Sequence, residues 1–278
     1  MFNTTIVIYN SPLDLLLKAI NSIIYSDDLN KIYIIDNSEI NSIEKYLPTS
    51  NKVIYIKSTR NGGFGFGHNI GINLSLKDYN VKYHLVLNPD VYFDSVILLK
   101  IIDFMDSNKN VGNLMPMVCY PDGSNQFLCK LLPTPIDWVG RRFNPFKKIV
   151  ERRNTKFELR FTNYDKIMEV PYLSGCFMFL RLDALKEIGL FDEGIFMYGE
   201  ETDLCRRLIA NKYKTIFFPE VKIFHKFDKG SHKSFRLTLI GIQSAIYYFN
   251  KWGWFFDNQR DIINKNSLDK LGYNKHSL

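Results

Sequence analysis

Three carboxylates crowd four positions of Tyr198-Gly199-Glu200-Glu201-Thr202-Asp203-Leu204-Cys205-Arg206-Arg207. At the start of a helix the dipole favours such charges by a few tenths to about 1 kcal/mol each, which accounts for one or two of them. A third is more than capping requires, and mutual repulsion raises the pKa of at least one, as suits a general base. Asn88-Pro89-Asp90 closes an apolar run. A carboxylate there can hold Mg2+ or Mn2+ against diphosphate oxygens; an ordinary Asx turn is the alternative, favoured on local sequence alone. Asn61-Gly62-Gly63-Phe64-Gly65-Phe66-Gly67-His68-Asn69 permits close backbone approach to a ligand. It is neither a dinucleotide fingerprint nor a P-loop, and a purely structural tight turn stays equally open. His225 follows an apolar run and leads into Lys226, Lys229, His232 and Lys233. It could complete a metal site, although a single histidine is more often a hydrogen-bonded structural residue. His68 and His84 read as structural.

The elements that must position these groups alternate. Thr4–Tyr9 reads as a buried strand, and Ser11-Pro12 as the cap and first position of a helix with Leu13, Leu16, Leu17, Ile20, Ile23 and Ile24 at helical spacing. Lys31–Ile35, Val53–Ile56 and Tyr83–Leu87 read as strands, with helical pattern from Asn69 to Ser75. This rhythm predicts an α/β fold with a parallel sheet whose strands all end at one edge. Asp36, Asn61 and Asp90 each lie just past a strand and should converge there, where open α/β sheets bind ligands. Residues 120–170, rich in Pro, Arg and aromatics, read as an insertion or loop. Beyond them come a strand at Val170–Leu180 broken at Ser174-Gly175, helices at Ala184–Ile188 and Glu200–Asn211, short strands at Thr215–Pro219 and Val221–Phe224, an apolar helix at Leu237–Phe249 and a polar tail.

With 278 residues, 46% of them hydrophobic, the chain can bury a sizeable core. Its four cysteines, 119, 129, 176 and 205, form no CxxC pair and read as reduced thiols. No signal peptide and no apolar run of spanning length is visible, so a soluble or peripheral protein is expected. The formal charge of +7, dense in Arg141–Arg160 and Lys222–Arg236, admits a nucleic acid, an anionic membrane or a phosphate-rich ligand, or simply a solvated surface.

Four blocks in order resemble the family-2 inverting glycosyltransferases of GT-A fold, in particular the bacterial rhamnosyltransferase-like enzymes of O-antigen and cell-wall polysaccharide assembly. They are Ile35-Asp36-Asn37-Ser38; Asn61-Gly62-Gly63-Phe64-Gly65 with His68-Asn69-Ile70-Gly71; Leu87-Asn88-Pro89-Asp90; and Ser174-Gly175 with Phe191-Asp192-Glu193 and Tyr198–Leu204. The resemblance covers about residues 3–235. It implies a Rossmann-like, mostly parallel sheet flanked by helices, with a transferase domain at 1–235 (nucleotide half about 1–115, acceptor half about 116–235) and a C-terminal helical extension at 236–278. By resemblance Asp36 reads a uracil or thymine base, Tyr9 and Asn10 line the base and ribose, and Asn61, Gly62 and Gly63 pack against the nucleoside. Asn88 and Asp90 stand at the DXD position as diphosphate and metal anchor, with one carboxylate fewer than the motif. Glu201 resembles the catalytic base and Glu200 its acidic neighbour, Glu-Glu standing where many relatives have Glu-Asp. His225 resembles a histidine that in some members helps bind metal or diphosphate.

The expected reaction is transfer of a sugar, L-rhamnose from dTDP-L-rhamnose in the first instance, to a lipid-linked or oligosaccharide acceptor, with inversion. A UDP-sugar donor (galactosyl, galactofuranosyl or glucosyl) and a non-catalytic nucleotide-sugar-binding protein are the alternatives. A bacterial cytoplasmic setting, peripheral contact of Leu237–Phe256 with the inner membrane, a possible homodimer and no nucleic-acid partner complete the expectation. A nucleic-acid binder would leave the acidic cluster unexplained, and a glycosidase would leave Asp36 and Asn61 unexplained.

Overall fold

The computed structural model describes residues 1–39, 43–140, 147–226 and 235–273. Arg141, Lys229, His232 and Lys233 lie outside the described residues. The chain runs β1 (Phe2–Ile8), α1 (Leu13–Asn21), β2 (Leu29–Asp36), β3 (Val53–Lys57), α2 (Phe64–Leu76), β4 (Tyr83–Leu87), β5 (Val91–Tyr92), α3 (Ile97–Ser107) and β6 (Val111–Cys119). It continues through β7 (Cys129–Lys130), α4 (Lys147–Phe157), β8 (Met168–Glu169), β9 (Tyr172–Leu173), β10 (Phe177–Arg181), α5 (Leu182–Ile188), α6 (Glu200–Ala210) and β11 (Lys214–His225). Two helices follow, α7 (Phe235–Trp252) and α8 (Asn258–Lys270).

Among the described residues one nine-stranded sheet has the order β3-β2-β1-β4-β10-β6-β11-β5, with β8 beside β11, and β7 pairs with β9 separately. Strands β3, β2, β1 and β4 are mutually parallel, as are β6 and β11. The mostly parallel sheet expected from the sequence is therefore present. Every residue of β4 is buried, as a strand covered on both faces requires.

Several expectations need correction. Strand β10 runs antiparallel to both β4 and β6, so the strands do not all point one way. Its chain returns from the 120–170 excursion with no crossover behind it, and a strand entering the sheet from that edge must run antiparallel. Ser11 is not a side-chain cap: Pro12 holds the cap position, and Ser11 Oγ instead accepts from the Tyr9 N–H at 3.4 Å. The two short strands expected after Thr215 are the single β11, whose register with β6 slips between Phe218 and Lys222, around a proline that cannot donate to the ladder. The sequence pass left 91–119 unread, where α3 and β6 form. The polar tail holds α8, capped by Asp257, whose side chain accepts from the Arg260 N–H.

Helix α2 starts at Phe64, inside the glycine-rich segment, rather than at Asn69. Its glycines are the reason it fits. A Cβ on Gly67 would stand 2.7 Å from both γ-carbons of Val7, and one on Gly71 would overlap Thr5 Oγ1. Four residues of helix rise about 6 Å and two residues of strand about 6.6 Å. The two glycines thus match Val7 and Thr5 and let α2 lie directly on β1. Beneath that contact, Thr5 Oγ1 and Ser75 Oγ each bond the buried His84 ring at 2.8 Å. Burial pushes that imidazole down to about 3, so it is neutral, as its structural reading requires.

The C-terminal helices are bound to α6 by charge. Arg206 makes a bidentate pair with Asp257 at 2.6 Å for both bonds, with both side chains buried, and its guanidinium lies 4.2 Å from the Trp252 ring centre. Buried Asp203 accepts from Arg207 Nε at 2.8 Å and Trp252 Nε1 at 2.8 Å, and pairs with Lys251 at 2.7 Å. One of the three clustered carboxylates is therefore a structural anchor. All four cysteines are buried free thiols. Gly71→Ala is expected to cost about 1–3 kcal/mol of unfolding free energy in urea, because Thr5 must leave its bond to His84; an unchanged midpoint would mean that α2 rides freely over β1.

Candidate active site

Strand pairing brings the predicted residues to one edge. Asp36 ends β2 opposite Ile8, and His225 ends β11 opposite Val91, next to Asp90. Asp36 is fully buried. Its Oδ1 accepts from the Ser38 N–H at 2.9 Å, and its Oδ2 accepts from Tyr55 Oη at 2.6 Å and Lys57 Nζ at 3.0 Å. Burial opposes the charge, but the bonds from Tyr55, Ser38 and Lys57 outweigh it and hold this carboxyl below its ordinary value. Lys57 also bonds the Ser38 carbonyl, and Ser38 Oγ accepts from the Asn10 N–H at 2.8 Å, with Asn10 in the left-handed region at φ 50°. Tyr9 beside it is exposed.

The glycine-rich segment closes on protein. Asn61 Oδ1 accepts from the Gly63 N–H at 3.2 Å, and Gly63, at φ 92°, sits where any Cβ would overlap the Phe196 carbonyl. Phe64 N–H donates to that same carbonyl at 3.0 Å. The start of α2 is thereby tied to the loop that precedes Tyr198.

Asp90 and His225 come together, with Oδ1 and Nε2 3.3 Å apart. Asp90 Oδ1 is buried and makes no hydrogen bond. On the other side of the ring, His225 Nδ1 lies 2.9 Å from Gln126 Oε1. The Gln126 amide has one workable orientation, because its Nε2 donates to the carbonyls of His225 at 2.7 Å and Cys119 at 3.3 Å. Oε1 must then accept, Nδ1 must carry the proton, and Nε2 faces Asp90. Burial disfavours the imidazolium, but Cys176 and Asp90 beside it favour it more and raise His225 to about 10. With the Nε2 proton released, the carboxylate oxygen and the clamped imidazole nitrogen could hold a divalent cation that takes its other ligands from phosphates and water. Among the described residues no group of three carboxylates, thiols or imidazoles is arranged to hold a metal, so the protein itself offers this pair, with the Cys176 thiol beside the ring.

Glu201 and Glu200 divide. Glu201 Oε1 accepts from Tyr172 Oη at 2.9 Å and its Oε2 from the Gly199 N–H at 3.1 Å, leaving an acceptor site on each oxygen. It borders a cavity of about 200 Å³ walled by Trp138, Tyr172, Tyr198 and Lys130. Glu200 is buried, with Oε2 unpartnered, and burial first, then Glu201, pushes its carboxyl well above the ordinary value. Both left-handed backbones, Tyr198 at φ 74° and Gly199 at φ 116°, precede this pair, and a Cβ on Gly199 would strike Trp138. Strain placed there fixes where the carboxylates point. The Gly175-Cys176 turn joins the two halves. Cys176 carbonyl accepts from the Asn88 N–H at 3.0 Å, and Gly175 leaves room for Phe64 and the Glu201 Cβ.

Sequence reasoning missed Gln126, Trp138 and Tyr172, the first two because 120–170 shows no periodicity. Tyr55 and Lys57 could have been found, since residues two apart in a strand share a face. Gln126→Leu is expected to lower Mn2+ affinity about 10- to 100-fold, read from the free-Mn2+ signal in electron paramagnetic resonance with a nucleoside diphosphate present. Equal affinity would show that the amide orients no ligand.

Residues 5–189 match Glycosyl transferase family 2. Rhamnosyltransferase WbbL of Escherichia coli (strain K12) is 24% identical over 226 residues, 79% of this chain and 81% of that one. The N-acetylglucosaminyl-diphospho-decaprenol L-rhamnosyltransferase of Mycobacterium tuberculosis is 27% identical over 142 residues, covering 51% of this chain and less than half, 46%, of its own. Among solved structures, GalNAc-T7 with UDP, GalNAc and Mn2+ superposes with TM-score 0.59 at 16% identity over 81% of this chain and 42% of that one. S. aureus TarS 1-349 gives 0.55 at 15% identity over 97% and 71%. The chain belongs to glycosyl transferase family 2 and is a glycosyltransferase of GT-A fold.

Proposed function

We propose that this enzyme transfers L-rhamnose from dTDP-L-rhamnose, with inversion, to a lipid-linked or oligosaccharide acceptor of O-antigen or related surface-polysaccharide synthesis. The observation that carries the chemistry is the Glu201 carboxylate, held by Tyr172 and Gly199 at the wall of an aromatic cavity with acceptor capacity to spare. There the acceptor hydroxyl gives its proton to Glu201 as its oxygen bonds the anomeric carbon, and the bond from that carbon to the diphosphate oxygen breaks. Trp138 and Tyr198 offer apolar faces to a sugar ring. Glu200, buried and with its carboxyl pushed up by burial and by Glu201, is read as the neighbour of the base.

On the donor side Asp36 would read the imide N–H of thymine or uracil with its remaining acceptor site, Lys57 being exposed enough to swing aside. Tyr9 and Asn10 would line the base and ribose, and Asn61, Gly62 and Gly63 would back the nucleoside. Asn88 and Asp90 would anchor the diphosphate, with Asp90 and His225 holding Mg2+ or Mn2+. When bound, the cation neutralises charge on the leaving diphosphate. The rhamnosyltransferase names of two relatives support this donor; a UDP-sugar is the alternative. We read 1–235 as the transferase domain and 236–278 as its helical extension, at the cytoplasmic face of the membrane. Four buried free thiols suit a reducing compartment.

Calorimetry with dTDP-rhamnose, UDP-sugars, GDP-sugars and Mg2+ should show binding of one dTDP- or UDP-sugar that Asp36→Ala abolishes; binding of none would overturn the donor reading. Glu201→Gln is expected to retain donor affinity while turnover falls about 10²- to 10⁴-fold, with Glu200→Gln milder. Unaltered turnover in Glu201→Gln would point to a different base.

A further inference from the structure

Helix α7 buries one face and leaves the other bare. Ser244, Ala245, Tyr248 and Phe249 pack inward, and Ser244 Oγ donates to the Met197 carbonyl at 2.7 Å, so α7 lies on the loop that delivers Tyr198 and the acidic pair. Phe235, Leu239, Ile242 and Ile246 are exposed. Their spacing of four, three and four places them in one stripe along the outward side. In the loop beyond the helix Phe255 is 70% and Phe256 97% exposed. This loop is built rather than loose. Arg260 donates to the carbonyls of Trp254 at 3.2 Å and Phe255 at 3.3 Å, Trp254 stacks 5.3 Å from Phe249, and Trp254 Nε1 donates to Asn250 at 2.9 Å. Two phenylalanines are thus held out into water by a pinned backbone.

Charge says what covers them. Residues 235–256 contain no Asp or Glu, and of their two cations Lys251 is paired with Asp192 and Asp203, leaving Arg236 as the exposed positive charge in a chain of net charge +7. Arg236 is exposed, about a quarter turn round the helix from the stripe. No described helix is long and apolar enough to cross a membrane, so an amphipathic helix of this kind can serve only by lying flat. We propose that α7 and the Trp254–Phe256 loop seat the enzyme on an anionic phospholipid surface, the stripe and the two phenylalanines entering the acyl boundary and Arg236 meeting the headgroups. Resting on the lipid-linked acceptor proposed above, this face would hold the Glu201 cavity close to the plane in which such an acceptor lies.

The test is co-sedimentation of the full chain with vesicles of phosphatidylglycerol and phosphatidylcholine in equal parts, or of phosphatidylcholine alone. Binding to the anionic vesicles is expected, at least tenfold weaker in 0.5 M salt and at least tenfold weaker for Phe255→Ser/Phe256→Ser and for Leu239→Ser/Ile246→Ser. Both variants change exposed side chains and should keep the parent circular dichroism and donor affinity. No binding to anionic vesicles at low salt would overturn the proposal. So would a concentration-dependent dimer, seen by analytical ultracentrifugation, that Leu239→Ser/Ile246→Ser abolishes, since a second copy would then be the occupant. Donor calorimetry is run on the same samples: lost nucleotide binding speaks against the transferase reading, and lost vesicle binding with donor binding intact speaks against this surface alone.

Discussion

The site depends on one strand running against its neighbours. Strand β6 delivers the chain to the edge where β4 and β2 end, and a further parallel strand would have to begin at the opposite edge. Because β10 is antiparallel to both neighbours, the chain re-enters the sheet at that same edge at Phe177, after an excursion from Cys119 that passes through β8 beside β11. Gln126, Lys130, Trp138, Tyr172 and the Gly175 turn all belong to that stretch. The reversal therefore supplies half of the site's walls, and the Asn88 bond to the Cys176 carbonyl fixes where the reversal begins.

Neutralisation separates the carboxylates that build from those that can react. Asp203 and Asp257 are closed by guanidinium, ammonium and indole groups, and Asp36 by Tyr55, Ser38 and Lys57. A buried charge stripped of such partners costs several kcal/mol, so these groups are committed to structure first. The acidic pair is treated differently. Glu201 has neutral donors only, and Glu200 has a bare oxygen and a raised pKa. Two adjacent carboxyls in one helix turn thus sit in different surroundings, one hydrogen-bonded at the wall of a cavity and one buried with an oxygen unpartnered.

Much of this was legible in the sequence. Apolar β-branched runs located β1 to β4 to within a residue or two, though not β6, and Asp36, Asn61 and Asp90 do follow mutually parallel strands that end at one edge. The direction of β10 was not legible, because periodicity reports burial and not polarity. The glycines of α2 were read as a ligand loop or a turn; what they fit is Val7 and Thr5, partners that only a register between helix and strand reveals. Gln126 and Trp138 lie where no period exists, and their roles come from single contacts made across the fold. Asp203 looked like its acidic neighbours until Lys251 and Trp252, about fifty residues on, supplied its purpose.

The four buried thiols carry a practical consequence. Cys119, Cys129, Cys176 and Cys205 lie in or beside β6, β7, β10 and α6, so they sample both sides of the reversal and the helix that bears the acidic pair. A thiol reagent can reach each of them only when its surroundings open. Alkylation followed by mass spectrometry therefore gives the protein four internal clocks. Their separate rates would order the opening of the sheet and the catalytic helix without any added label, and a donor that closes the site would slow some of them and leave the others running.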